Sequence, residues 1–165
     1  MFLDQIIRIF EKISHLRVGL IGGWAIHVLK LSRGVKDEYL GKDIDLMCDR
    51  EDIPQLIEIL TKMGFKLTEQ VKVRRGGFYS LVSEDGSLKI DVQSNPKDLS
   101  LKFLEIKLPK SGKVKVLDPE ILLFLQRKRL EVLNNKAKRK ADTETLKKIE
   151  RTRQNIHFLE VILSP

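Results

Sequence analysis

Apolar and polar positions follow two different periods along this chain, and the changes of period divide it into elements. Residues 2–14 place Phe2, Leu3, Ile6, Ile7, Phe10 and Ile13 on one stripe at helical spacing. "RVGLI" at 17–21 is a short β run ended by Gly22-Gly23, and "WAIHVLKL" behind the glycines reads as a helix. "SRGVKDEYLGK" is a polar loop with glycines towards both ends. "DIDLMC" at 43–48 alternates with period two and predicts a strand. "REDIPQLIEILTKMGFKL" opens on acidic residues, has Pro54 in its first turn and stops at Gly64, as a helix does. "FKLTEQVKV" then reads as a strand.

A hairpin follows, with strands at 78–82 and 87–93 around a turn at Glu84-Asp85-Gly86. Residues 94–112 read as irregular, punctuated by Asn95-Pro96 and Ser111-Gly112. A short strand at 113–117 leads to Asp118, a predicted N-cap for a helix from Pro119 to about Leu133. A last helix spans about Thr143 to Leu163. The order predicts an α+β chain: a mixed, largely antiparallel sheet flanked by helices, with a C-terminal helical tail. No internal repeat or Pro/Gly/Ser-rich linker divides it. Residues 1–117 are expected to form the core, and 118–165 a basic helical tail packed on it as one compact unit.

At 165 residues and 42% hydrophobic, the chain is long enough for one domain with a real core. No apolar run approaches the roughly 18 residues of a membrane span. The N-terminal stripe is interrupted by Asp4, Arg8, Glu11 and Lys12, which suits an amphipathic helix and not a secretory signal. A single cysteine, Cys48, excludes an intramolecular disulfide and a cysteine-based zinc site. A cytoplasmic protein is the expectation. The net charge of +8 is uneven: Arg127 to Arg153 holds eleven Lys/Arg against Glu131, Asp142, Glu144 and Glu150. Such a segment is either a solvated helix face or a surface for RNA or another polyanion.

The chemistry-bearing residues lie on the strands. Asp43 and Asp45, two apart, point to one face while Ile44 and Leu46 point to the other. On the later strand, Lys89, Asp91 and Gln93 form one face and Leu88, Ile90 and Val92 the other. If the strands are neighbours, Asp91 joins the pair. Three clustered carboxylates repel, and Mg²⁺ relieves this because it takes oxygen ligands and bridges them to substrate phosphates. Two such ions about 4 Å apart can clamp the attacking and leaving oxygens of an in-line phosphoryl displacement. Gly22 and Gly23, just before a helix N-terminus, would offer backbone N–H groups to the phosphates of an NTP.

"GGWAIHVLK…GKDIDLMCD…LKIDVQ" resembles the nucleotidyltransferase superfamily of the DNA polymerase β type. More narrowly, it is similar to the small branch holding aminoglycoside nucleotidyltransferases and abortive-infection toxins. The resemblance covers roughly residues 17–93. It implies that Gly22 and Gly23 bind nucleotide phosphates, and that Asp43, Asp45 and Asp91 bind two Mg²⁺ ions. The implied reaction moves a nucleoside monophosphate from an NTP to a hydroxyl of RNA, a protein or a small molecule. The C-terminal helices resemble the tail of the toxin-like branch, which implies roles near the site for Lys128, beside the phosphates, and for Asp142. That branch has an Arg and a Ser or Thr shortly before its D-x-D, where this chain has "YLGKDID". Either Lys42 or Arg33 would take the place of the arginine, or phosphate handling would differ. A catalytically silent domain of the same fold that binds nucleotide or nucleic acid is the alternative, and a purely structural α/β domain is a third.

Other side chains read as structural. Trp24 is expected to pack its helix on the sheet, His27 to be a packed, hydrogen-bonded histidine, and Cys48 to act as a small buried hydrophobe. Arg74-Arg75-Gly76-Gly77 reads as an exposed basic turn. His15 and His157 have no partner legible in the sequence.

Overall fold

The computed structural model describes residues 2–73, 76–95, 100–109 and 112–165. Its elements are α1 (Phe2–Ile13), β1 (Val18–Ile21), α2 (Gly22–Ser32), β2 (Asp43–Cys48), a 3₁₀ turn at Arg50–Asp52, α3 (Ile53–Lys62) and β3 (Phe65–Val73). They continue with β4 (Gly76–Ser83), β5 (Lys89–Ser94), β6 (Phe103–Leu108), β7 (Gly112–Leu117), α4 (Pro119–Arg139) and α5 (Thr143–Leu163). The chain divides into two units, Met1–Leu117 and Asp118–Pro165. Arg74 and Arg75, read from sequence as a basic turn, lie outside the described residues.

In the first unit seven strands form one sheet in the order β3-β4-β5-β2-β1-β7-β6. β2 runs parallel to β5, and β1 to β7. The other four pairings are antiparallel, so the sheet is mixed and mostly antiparallel. The period of two sorts its faces. Val18, Leu20, Ile44, Leu46, Ile90 and Val92 share one face by register, and all are fully buried. Burying each such side chain contributes about 1.5–3 kcal/mol. The apolar stripe of α1 covers this face: its Ile7 lies so close to Gly112 that a Cβ there would fall 2.6 Å from Ile7 Cδ1. α1 also packs against α3, which packs against β3. The opposite face carries the carboxylates.

Three expectations shift. Residues 94–112, read as irregular, contain β6, which pairs antiparallel with β7 from Phe103↔Leu117 to Leu108↔Gly112. Its alternation is short and half polar, with Ile106 and Leu108 buried but Leu104 exposed, as an edge strand allows. α4 runs on to Arg139 and not about Leu133, since neither Gly nor Pro interrupts it and Lys136, Lys138 and Arg139 suit the negative end of its dipole. α2 begins at Gly22 itself, so the glycines form its first turn.

In the second unit α4 and α5 pair as an antiparallel hairpin. Asp118 caps α4 by accepting from the Glu120 N–H, and Asp142 caps α5 by accepting from the Thr145 N–H at 2.7 Å. Leu122, Leu133, Ile149 and Leu159 are buried. Buried Asn155 donates to buried Gln126 at 3.4 Å, and Arg127 bridges to Glu160 at 2.9 Å. Among the described residues no helix is long and apolar enough to cross a membrane.

Candidate active site

Register builds the site. The parallel pairing of β2 with β5 sets Asp43 beside Lys89 and Asp45 beside Asp91. β4 sets Ser80 beside Asp91, and β3 sets Glu69 beside Ser80. Glu69, Ser80, Asp91 and Asp45 therefore form one row across four strands, at roughly 5 Å per strand. Asp43 and Lys89 stand in the next row on the same face. The three aspartates picked out by alternation are brought together as neighbours, Asp43 exposed and the other two half-buried.

Asp91 is held through both carboxylate oxygens. The Ser80 hydroxyl, itself only 1% exposed, donates to its Oδ1. The Lys89 ammonium lies 3.1 Å from its Oδ2. Lys89 is held above the ordinary lysine pKa, chiefly by its hydrogen bond to Asp91; burial opposes this, and the charges of Asp91, Asp43 and Glu69 add to it. Among the described residues, no three His, Cys, Asp or Glu side chains close around a point fit for a metal ion. The donors are nonetheless all oxygens, the chemistry that a hard divalent cation requires, and Asp43 and Asp45 present theirs from one strand face. Alternation puts Lys89 on the face of Asp91, and the hairpin makes the strand of Ser80 its neighbour; what sequence lacks is the register that sets Ser80 directly beside Asp91.

Gly22 and Gly23 are bare for different reasons. Gly22 has φ +67°, and a Cβ there would meet Asp45 Oδ2 at 3.0 Å. This backbone turns over the second aspartate of the pair, and no side chain caps the helix it starts. Gly23 faces Tyr39, whose hydroxyl oxygen would lie 2.2 Å from a Cβ at that position. The same ring presses on Gly41, and nothing in the sequence marks Tyr39 for this place.

The polar segment after α2 is tied back to that helix. Trp24, 4% exposed, stacks on Phe2, meets Tyr39 edge-on at 5.0 Å and donates from Nε1 to the Gly41 carbonyl at 3.2 Å. His27 Nδ1 lies 2.8 Å from Asp37 Oδ2, and Lys30 Nζ lies 3.3 Å from Asp37 Oδ1. Burial pushes the Asp37 carboxyl up, but the His27 hydrogen bond and the Lys30 charge outweigh it and hold the group below its usual range. Trp24 and His27 are thus the packing residues expected, and His27 has a partner in Asp37. Arg33 and Lys42 are exposed, and neither side chain makes an ion pair among the described residues. In the helical unit, Lys128 pairs with Glu131 at 3.5 Å over the Phe124 ring, and Asp142 serves as the α5 cap.

The family model for aminoglycoside-2''-adenylyltransferase matches residues 3–98. The chain belongs to the aminoglycoside-2''-adenylyltransferase family. That match spans every residue of the carboxylate face and the Gly22-Gly23 turn, and it makes this family member one of the nucleotidyltransferases. No curated protein sequence matches the chain significantly. Solved structures share its fold. A Thermotoga maritima protein assigned as a nucleotidyltransferase is 18% identical, covers 84% of this chain and 91% of its own, and has a TM-score of 0.59. ANT(2'')-Ia, seen with adenylyl-2''-tobramycin, is 14% identical over 99% of this chain and 97% of its own, with a TM-score of 0.58. The lincosamide adenylyltransferase LnuA, seen with lincomycin, is 19% identical over 92% and 94%, with a TM-score of 0.56.

Proposed function

We propose that the protein moves a nucleoside monophosphate from an NTP to a hydroxyl of a small-molecule acceptor, with Mg²⁺ held by Asp43, Asp45 and Asp91. The observation that carries this is the row in which Asp45 and Asp91 stand side by side, with Asp43 on the same face and Gly22 turned over Asp45. Two Mg²⁺ ions bound there would neutralise the triphosphate and acidify the acceptor hydroxyl. The first turn of α2 offers backbone N–H groups to the phosphates, and exposed Lys42 adds positive charge beside Asp43. Asp91 accepts the proton of the attacking hydroxyl. The acceptor oxygen forms its bond to the α-phosphorus as the bond to the bridging oxygen breaks, and pyrophosphate leaves.

RNA, towards which the 127–153 segment inclines the sequence reading, gains no support from the solved structures of this fold. The test is transfer of label from each α-labelled NTP, with Mg²⁺, to a panel that includes tobramycin, lincomycin and neutral or phosphorylated sugars. Transfer lost in both Asp43→Ala and Asp45→Ala supports the reading. Mg²⁺-dependent nucleotide binding without transfer to any acceptor would favour a silent binding domain.

A further inference from the structure

We propose that Lys89 is a built-in cation that holds Asp91 and sets the affinity of the carboxylate face for divalent metal. The inference rests on the reading that Asp43, Asp45 and Asp91 bind metal, and it concerns a residue to which that reading gives no part.

Lys89 stands in register with Asp43, and its ammonium is 3.1 Å from Asp91 Oδ2. Glu69 lies on the same face, one strand beyond Ser80. Asp45 and Asp91 stand directly opposite on neighbouring strands, with Asp43 in the next row, and like charges so placed destabilise one another. Ser80 relieves one oxygen of Asp91 and Lys89 the other. A metal ion approaching Asp91 meets a positive charge already there. It must displace the ammonium or bind against it, and at a few ångströms such a repulsion lowers affinity substantially. The lysine can leave: its side chain is 42% exposed and sits on a flexible four-carbon stem, while Asp91 is 14% exposed and fixed by Ser80. Lys89 is accordingly a positioning residue, exchanged for metal when metal arrives.

The alternative is an ordinary half-exposed ion pair without influence on metal. Titration of the full chain with Mn²⁺, in the absence of nucleotide, separates the two. Lys89→Met keeps the stem and removes the charge, and Lys89→Gln does so with a polar end. Both are expected to bind Mn²⁺ about tenfold tighter than the wild type, and Mn²⁺ should raise their melting temperatures by more. Asp45→Asn should weaken binding in every background. Folded Lys89 variants with wild-type Mn²⁺ affinity, alongside weakened Asp45→Asn, would overturn this inference and leave the functional reading standing. Absence of saturable Mn²⁺ binding in the wild type and all variants would overturn both.

Discussion

The hydroxyl oxygen of Tyr39 occupies the space that a side chain on Gly23 would need, 2.2 Å from where its Cβ would stand. The ring is wedged between Gly23 and Gly41 and meets Trp24 edge-on. Gly23→Ala therefore forces the ring and the segment carrying it away from α2, at a cost of about 1–3 kcal/mol as for other overpacked sites. Urea denaturation should show that loss, and Tyr39→Ala in the same chain should recover most of it. Simple additivity of the two losses would mean that ring and glycine do not oppose each other.

Gly22 predicts a different pattern. Its φ of +67° strains any L side chain by about 1–2 kcal/mol. A Cβ there also presses on Asp45 Oδ2 from 3.0 Å. Gly22→Ala should lose only that modest stability, yet transfer should fall about a hundredfold, because small displacements of reacting groups are costly. Stability and single-turnover rate measured on the same preparation make the comparison. A rate that falls no more than stability does would remove the turn from the site.

Much of this site was legible because strands sort residues by twos. Alternation puts Asp43 and Asp45 on one face and Asp91 on the polar face of its own strand; Asp91 joins the pair only if the two strands are neighbours, and the register of β2 with β5 makes them so. What alternation cannot supply is register: the hairpin makes β4 and β5 neighbours, but only their pairing sets Ser80 beside Asp91. Tyr39 was hidden for another reason: it sits in a segment with no period, and its contact with Gly23 depends on how that segment returns to α2. β6 was missed because an edge strand needs only half an apolar pattern, and Asn95-Pro96 and Ser111-Gly112 made its surroundings look irregular. Gly22-Gly23 is legible as an exception, but its two causes, Asp45 against Gly22 and Tyr39 against Gly23, arise only in the folded chain.

Asp37 gives a pH prediction. Ionised, it can only accept, so His27 Nδ1 carries the proton between them. Its folded-state pKa lies below the unfolded value of about 3.9. The unfolded chain therefore binds the proton more readily, and the stabilisation is present above that value and lost as pH falls through the folded one. Unfolding free energies at pH 6 and pH 3 should differ less for Asp37→Asn than for the wild type. An unchanged difference would mean that the His27–Asp37–Lys30 cluster does not anchor the segment.

Cys48 should be inert in the native state. It is fully buried at the end of β2, and burial, reinforced by the charges of Asp52 and Asp49 and opposed by Lys115, pushes its thiol up to about 12. The thiolate is the reactive species, so an aromatic disulfide reagent at pH 8 should label the protein only as it unfolds. Labelling should therefore follow the denaturant-induced transition, and rapid reaction in native buffer would show that the end of β2 opens locally.

Ser80 is the last residue whose role can be separated by kinetics. It is 1% exposed, on the middle of β4, and its hydroxyl donates to Asp91 Oδ1. Ser80→Ala removes that donor without adding bulk, at a stability cost of about 1 kcal/mol. If Asp91 accepts the proton of the attacking hydroxyl, its orientation matters in the transition state more than in nucleotide binding. The expected outcome is a kcat about tenfold lower with the KM for NTP nearly unchanged, the pattern of an interaction made chiefly in the transition state. A variant that instead raises KM with kcat intact would assign the Ser80–Asp91 pair to substrate binding and move the proton acceptor elsewhere on the carboxylate face.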